Sequence, residues 1–246
     1  MNDENIIYGK NSILEAINSS VPINRVRLRD SLRKDSTIKG IIDGCKSNNI
    51  PFDFVSNTRL KSISNNARDV VAFVSPISYT GLDIIINRIG PQSGIVVLDQ
   101  ISDPQNLGAI IRSAECLGMD AVIIPKRSAC PITATVTRAS SGAVMHIPIV
   151  RTTNISQIIE TLKERGFWVY GTAPEAKRNL GQCDFSDRSV LVIGSEGRGI
   201  RPSVRKHCDM LINIPMKGNV NSLNASVSAG IVMYKLSRRF DNESSV

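Results

Sequence analysis

Three blocks of the 246-residue chain carry the side chains best suited to chemistry, and each follows an apolar run. In the first, from Asp99 to Ala114, Pro104 stiffens a loop, Asn106 is placed to cap a helix, and Arg112 falls in that helix's second turn. An arginine among Ala109, Ile110, Ile111 and Ala114 lies either on the exposed stripe of the helix or over a site. Its guanidinium stays charged and offers a planar set of donors, which suits it to steadying a developing negative charge rather than to taking up a proton. A plain cap and a solvated arginine would account for this block equally well.

The second block puts Gly194, Gly197 and Gly199 directly behind the apolar run Val190–Ile193, where glycines let the backbone turn sharply and approach a ligand. The spacing is neither that of a dinucleotide fingerprint nor that of a phosphate loop, and Glu196 argues further against cradling phosphate. By itself this could be a turn with a helix-capping acid. The third block leaves the apolar run Leu211–Ile214, passes Gly218 and enters a helix studded with Asn221, Ser222, Asn224 and Ser226. One such residue suffices as a cap, so the excess points to hydrogen bonding with something polar that is not protein. Ala225, Ser228 and Ala229 permit close packing.

Loops so far apart in sequence need a scaffold that brings them to one mouth. From Gly94 the pattern predicts strand Ile95–Asp99, helix Leu107–Leu117, strand Ala121–Ile124, a helix near Ala134, helix Ile155–Arg165, strands Phe167–Tyr170, Val190–Ile193 and Leu211–Ile214, and a last helix Ser222–Arg238. Continuous apolar strands separated by helices predict a mostly parallel sheet covered on both faces, with ligand sites at the carboxyl ends of its strands. Ahead of it, helix Lys10–Ile17, a strand around Val26–Leu28, helix Ser36–Ser47, strand Phe52–Val55, a helix start at Asn57 and a buried strand Val70–Val74 make a small α/β unit over 1–76. Residues 77–91, with Gly81, Gly90 and Pro91 around one short helical stretch, read as a linker to 92–246.

In this order the three blocks resemble motifs one to three of the SpoU (TrmH-like) family of RNA 2′-O-ribose methyltransferases, of the SPOUT superfamily. The resemblance runs from about Gln92 to Phe240 and includes the segment Arg138–Ala143; residues 6–76, with Tyr8, Gly9 and Lys10, resemble the family's N-terminal RNA-substrate-binding domain. The next residue, often His in near relatives, is Asn11. The two-domain form is most similar to enzymes that methylate a guanosine ribose in bacterial large-subunit rRNA; enzymes acting on tRNA share the same motifs, and 2′-O-methylation of tRNA is the alternative. The resemblance implies an α/β domain with a C-terminal trefoil knot, a homodimer, no metal, and S-adenosylmethionine held in the knot largely by backbone groups at Gly194, Ile214 and Leu223. Asn106, Arg112, Glu196, Ser222 and Asn224 match its polar active-site positions. Arg112 is then expected to stabilise the developing alkoxide, although the family's matching arginine is also described as a base. Asn106 would orient Arg112 or the ribose, Ser222 and Asn224 would fix the motif-three loop, and Glu196 would align Arg112 or the partner subunit.

Composition agrees with such a partner. The formal charge is +8, with 11 basic against 8 acidic residues in 1–76 and 18 against 13 in 92–246, so a polyanion such as RNA would meet a surface drawn from both parts. Five scattered cysteines without a C-x-x-C pair, and His146 and His207 as the only histidines, give no disulfide frame and no metal set. No apolar run is long enough to span a bilayer, and the polar start Met1–Asn5 lacks a leader's features, so a cytoplasmic location is expected. Two other classes compete. An open-sheet oxidoreductase lacks its glycine fingerprint, and an inactive RNA-binding relative sits poorly with Asn106, Arg112, Glu196 and Asn224 all present.

Overall fold

The computed structural model describes residues 6–18, 21–63, 67–219 and 222–241; Asn221 of the third block and the Met1–Asn5 segment lie outside them. The chain divides into two compact units, one formed by residues up to Ser78 together with Pro131–Ala134, the other by Tyr79–Cys130 and the chain from Thr135.

The smaller unit holds β1 (Ile6–Tyr8), α1 (Lys10–Asn18), β2 (Ile23–Arg29), α2 (Ser36–Ser47), β3 (Phe52–Val55), α3 (Asn57–Lys61) and β4 (Val70–Val74), with sheet order β1-β4-β2-β3. Period-two alternation along β2 sends Val26 and Leu28 into a core shared with Ile13 and Ile17 of α1 and Ile38 and Ile41 of α2. Arg25, Arg27 and Arg29 take the other face, where Asp53 lies 3.6 and 3.4 Å from the first two and Asp69 3.3 Å from the third. Asp35 caps α2 by accepting from Ile38 N; the hydrogen bond from Lys10 Nζ, at 2.6 Å, holds its carboxyl below the usual range. Asn24, 2% exposed, donates from Nδ2 to Ile132 O at 2.8 Å, tying Pro131–Ala134 into this unit.

The larger unit is built on seven strands, all parallel, in the order β7-β6-β5-β10-β8-β11-β9. These are β5 (Ser93–Asp99), β6 (Ala121–Pro125), β7 (Ile149–Thr152), β8 (Trp168–Thr172), β9 (Arg178–Asn179), β10 (Arg188–Gly194) and β11 (Met210–Asn213). The helices are α4 (Leu82–Ile86), α5 (Pro104–Cys116), α6 (Ala134–Ala139), α7 (Ile155–Glu164), α8 (Pro202–Arg205) and α9 (Ala225–Asp241). Every residue of β5 is buried, as its unbroken apolar run demands of a central strand covered on both faces. Within the stretch read as a linker, α4 buries Ile85 and Ile86 in this unit's core. The short elements β1, β7, β9 and α8 carried too little periodic pattern to be read from sequence. Among the described residues no helix is long and apolar enough to cross a membrane.

Candidate active site

The sheet brings the three blocks together because their strands end at one edge. β5 and β10 are neighbours with Asp99 abreast of Gly194, and β8 and then β11 follow on the far side of β10. Asp99 is fully buried and its carboxylate is held by one residue of the glycine loop: Arg201 N donates to Oδ2 at 2.8 Å and Arg201 Nε to Oδ1 at 2.8 Å. A Cβ on Gly194 would sit 2.1 Å from the carbonyl carbon of Gly199, so glycine is required where the loop folds back on its own strand. The loop closes through Ser195 and Gly199, each donating its backbone N–H to the other's carbonyl at 3.1 and 2.9 Å.

Glu196 rides on that loop and gathers the other two blocks. Its Oε1 accepts from Asn224 Nδ2 at 2.6 Å, from Asn106 Nδ2 at 3.1 Å and from Ala225 N at 3.1 Å; Asn224 Nδ2 also donates to Asn106 Oδ1 at 2.9 Å. Asn224 Oδ1 accepts from Ser226 N and Oγ at 2.8 and 2.6 Å, the pattern of an N-cap for α9. The Glu196 carboxylate thus stands at the positive end of a 17-residue helix, where an anion is favoured.

Asn106 is free for this cluster because it does not cap α5, contrary to the sequence reading. Asp103 does so, accepting from Asn106 N at 3.0 Å with Pro104 at the first helical position, where a missing N–H costs nothing. The helix therefore starts earlier and Arg112 falls in its third turn. Arg112 is exposed and takes no part in the hydrogen bonds of the Asn106–Glu196–Asn224 cluster, while its neighbour Ser113 faces Gly230 of α9. Gly108 lets α5 meet the Arg138–Ala143 segment closely: a Cβ there would lie 2.4 Å from that of Ala139.

Beside the cluster opens a cleft of about 430 Å³ whose walls include Gly194, Ile214 and Leu223, together with Glu196 and Ser222. Thr172, the last residue of β8, and Ala173 and Glu175 beyond it line the cleft as well, and Glu175 pairs with Arg205. Asn213 also lines it; its Nδ2 donates to Ala176 O at 2.6 Å, while Oδ1 is buried without a hydrogen-bond partner among the described residues. Sequence reasoning missed the β8 wall, Asn213 and the Asp99–Arg201 clamp. An aspartate ending an apolar strand was the one local signal for the clamp.

The sequence profile of the SpoU rRNA methylase family matches residues 93–234, and that described as RNA 2′-O ribose methyltransferase substrate binding matches 6–80. A Staphylococcus saprophyticus protein described as a TrmH family tRNA/rRNA methyltransferase is 39% identical over 241 residues, covering 96% of each chain. The SpoU methyltransferase AviRb of Streptomyces viridochromogenes, solved with S-adenosylmethionine, shares the fold at a TM-score of 0.63 and 24% identity, covering 96% of this chain and 90% of its own. An rRNA methyltransferase of Sinorhizobium meliloti, also solved with that cofactor, gives 0.60 and 24% over 96% and 87%. With both profiles matched in order and a relative alike from end to end, the chain belongs to the SpoU family of RNA methyltransferases.

Proposed function

We propose that this methyltransferase moves a methyl group from S-adenosylmethionine to a ribose 2′-hydroxyl, that of a guanosine in large-subunit rRNA. The observation that carries the reading is the meeting of three loops at one sheet edge: the cleft walled by Gly194, Ile214 and Leu223 lies directly beside the Asn106–Glu196–Asn224 cluster. The cleft's volume falls in the usual range of small-molecule sites. Asn213 Oδ1 supplies a buried acceptor in its wall that has no partner among the described residues, which suits an amino-bearing ligand. The fold neighbours from Streptomyces viridochromogenes and Sinorhizobium meliloti, solved with S-adenosylmethionine, favour the same cofactor here.

When bound, S-adenosylmethionine supplies an electrophilic methyl on a sulfonium. The chain's part is to place the 2′-hydroxyl in line and to accommodate charge as that oxygen loses its proton. Arg112 serves this as a charged donor that resists deprotonation. Glu196, fixed by three donors through Oε1, keeps its second oxygen to orient Arg112 or the ribose; Asn106 and Asn224 hold it there, and Ser222 shapes the entry to α9.

The smaller unit is proposed to recognise RNA, and the chain to be threaded through the family's trefoil knot between β10 and α9. A homodimer accounts for the exposed apolar stripe of α9, where Val227, Ile231 and Tyr234 are 49%, 38% and 57% exposed at helical spacing. The cytoplasm is the proposed location. The test is to map ribose methylation in the RNA of a strain lacking the gene. Loss of one guanosine 2′-O-methyl from large-subunit rRNA is expected; loss from a tRNA instead would move the substrate, and an unchanged map would reject the reading.

A further inference from the structure

We infer that Arg198, at the tip of the glycine loop, binds the RNA phosphate on the 3′ side of the target nucleotide while the neighbouring 2′-hydroxyl is methylated. The inference rests on the ribose 2′-O-methylation reading and adds to it the residue that holds the backbone beside the reacting oxygen.

The loop fixes where this cation stands. Ser195 and Gly199 close it by donating their backbone N–H groups to each other's carbonyls at 3.1 and 2.9 Å, which leaves Glu196, Gly197 and Arg198 as a three-residue tip. Gly197 and Gly199, on either side of Arg198, have φ of +77° and +65°, left-handed values that glycine takes without strain. Two residues of chain span at most about 7 Å, so the Cα of Arg198 lies within that distance of the Cα of Glu196. Glu196 is bonded in turn to Asn106 and Asn224, in the cluster that the proposed reaction sets beside the ribose.

The arginines that follow the loop differ in what holds them. Arg201 is bound to the buried carboxylate of Asp99, and Arg205, which lines the cleft, pairs with Glu175. Arg198 also lines the cleft, but it is exposed and has no hydrogen bond, ion pair or ring contact among the described residues. A ribose delivered to the Glu196 cluster brings an anion with it. In RNA the 2′-oxygen sits on the carbon next to the one whose oxygen carries the following phosphate, so that phosphate enters the cleft mouth together with the target hydroxyl. The planar guanidinium fork matches two phosphate oxygens at once. The other anion that reaches this cleft under the same reading is the α-carboxylate of S-adenosylmethionine. Its sulfonium and ammonium leave that molecule with a net positive charge, which suits the carboxylates of Glu175 and Glu196 in the cleft wall better than an uncommitted guanidinium.

The test is single-turnover methylation by the full chain of unmodified large-subunit rRNA transcribed in vitro, with transcribed tRNA as a second substrate. RNA is varied at saturating S-adenosylmethionine from 50 to 200 mM KCl. Each phosphate contact contributes about 0.7 to the slope of log affinity against log salt, equivalent to about fivefold in affinity at 0.1 M. Arg198→Gln should therefore raise the half-saturating RNA concentration about fivefold and lower the slope by about 0.7. Its rate at saturating RNA and its S-adenosylmethionine affinity by calorimetry should match the parent chain. Arg198→Lys keeps the charge and should keep the slope. Arg165→Gln removes an exposed charge at the end of α7, on the edge where the parallel strands begin, and should change none of these quantities. Wild-type half-saturation and slope in Arg198→Gln would overturn the inference alone. So would a loss confined to S-adenosylmethionine affinity, which would give the cation to the cofactor's carboxylate. A parent chain that methylates neither RNA on a ribose would remove the 2′-O-methylation reading and the inference with it. Thermal melts check folding, and Arg198→Met, which keeps the aliphatic stem, repeats the comparison if Arg198→Gln melts lower.

Discussion

Asn224 Nδ2 lies 2.6 Å from Glu196 Oε1, so the residue that caps α9 is tied to the glycine loop of β10 across 28 positions of sequence. The same oxygen holds Asn106, and one carboxylate therefore sets the relative position of all three polar blocks. Replacing it with alanine leaves those donors to water. Glu196→Ala should melt about 2–4 °C lower, on the order of 1 kcal/mol for a protein of this size, and lose most methyl transfer. Glu196→Gln keeps the shape but not the charge-assisted bonds, and should recover stability better than turnover. Thermal melts and single-turnover assays on both variants check this; a Glu196→Ala protein with wild-type melting and turnover would remove the carboxylate from the account.

Arg112 is exposed, takes no part in the hydrogen bonds of that cluster and is not among the residues lining the cleft, and the role proposed for it is on the reacting oxygen rather than on the cofactor. Loss of one preorganised charge-stabilising donor typically costs about 100- to 1,000-fold in turnover. Arg112→Ala should fall by that much with S-adenosylmethionine affinity within a few-fold of wild type, and Arg112→Lys should recover little, having lost the planar fork. Near-normal turnover in Arg112→Ala would leave a solvated helix arginine.

The fold was legible wherever burial imposes a pattern. The unbroken apolar runs of β5, β6, β8, β10 and β11 predicted a parallel sheet, and parallel strands predicted a site at their carboxyl ends. What escaped was set by contacts between distant residues. Asn106 looked like a cap because the stronger Asp103–Pro104 start three residues earlier was passed over, and only the structure shows its amide turned to Glu196. The Asp99–Arg201 clamp spans 102 positions and has no local periodicity to betray it. The wall from Thr172 to Glu175 begins at the last residue of an ordinary strand and enters the site only because β8 lies between β10 and β11.

The two glycines of the second block should respond differently to alanine. Gly194→Ala drives a Cβ to 2.1 Å from backbone at Gly199, so the loop must move and S-adenosylmethionine affinity should drop by more than about tenfold, beyond the 1.4 kcal/mol that such a factor represents. Around Gly197 a Cβ meets nothing within 4 Å, but φ is +77°, so Gly197→Ala should show the milder cost of a left-handed alanine, about 1–2 kcal/mol. Calorimetric titration of both with the cofactor checks the order; equal affinities would contradict the loop's assigned place in the cleft.

If a second copy covers Val227, Ile231 and Tyr234, a charge in the middle of that stripe should prevent association. Ile231→Asp is expected to elute as a monomer near 27 kDa by light scattering, against roughly twice that mass for the parent protein. A monomeric parent would remove the dimer from the proposal.

The most direct test of the central claim is where the methyl group lands. Unmodified large-subunit rRNA is incubated with the protein and S-adenosylmethionine bearing a radiolabelled methyl, then hydrolysed in alkali, which cannot cut next to a blocked 2′-oxygen. The account predicts that the label survives in a single alkali-resistant dinucleotide beginning with guanosine and is absent when Arg112→Ala is used. Label released in mononucleotides, as a methylated base would give, or no transfer to either rRNA or tRNA, would contradict it.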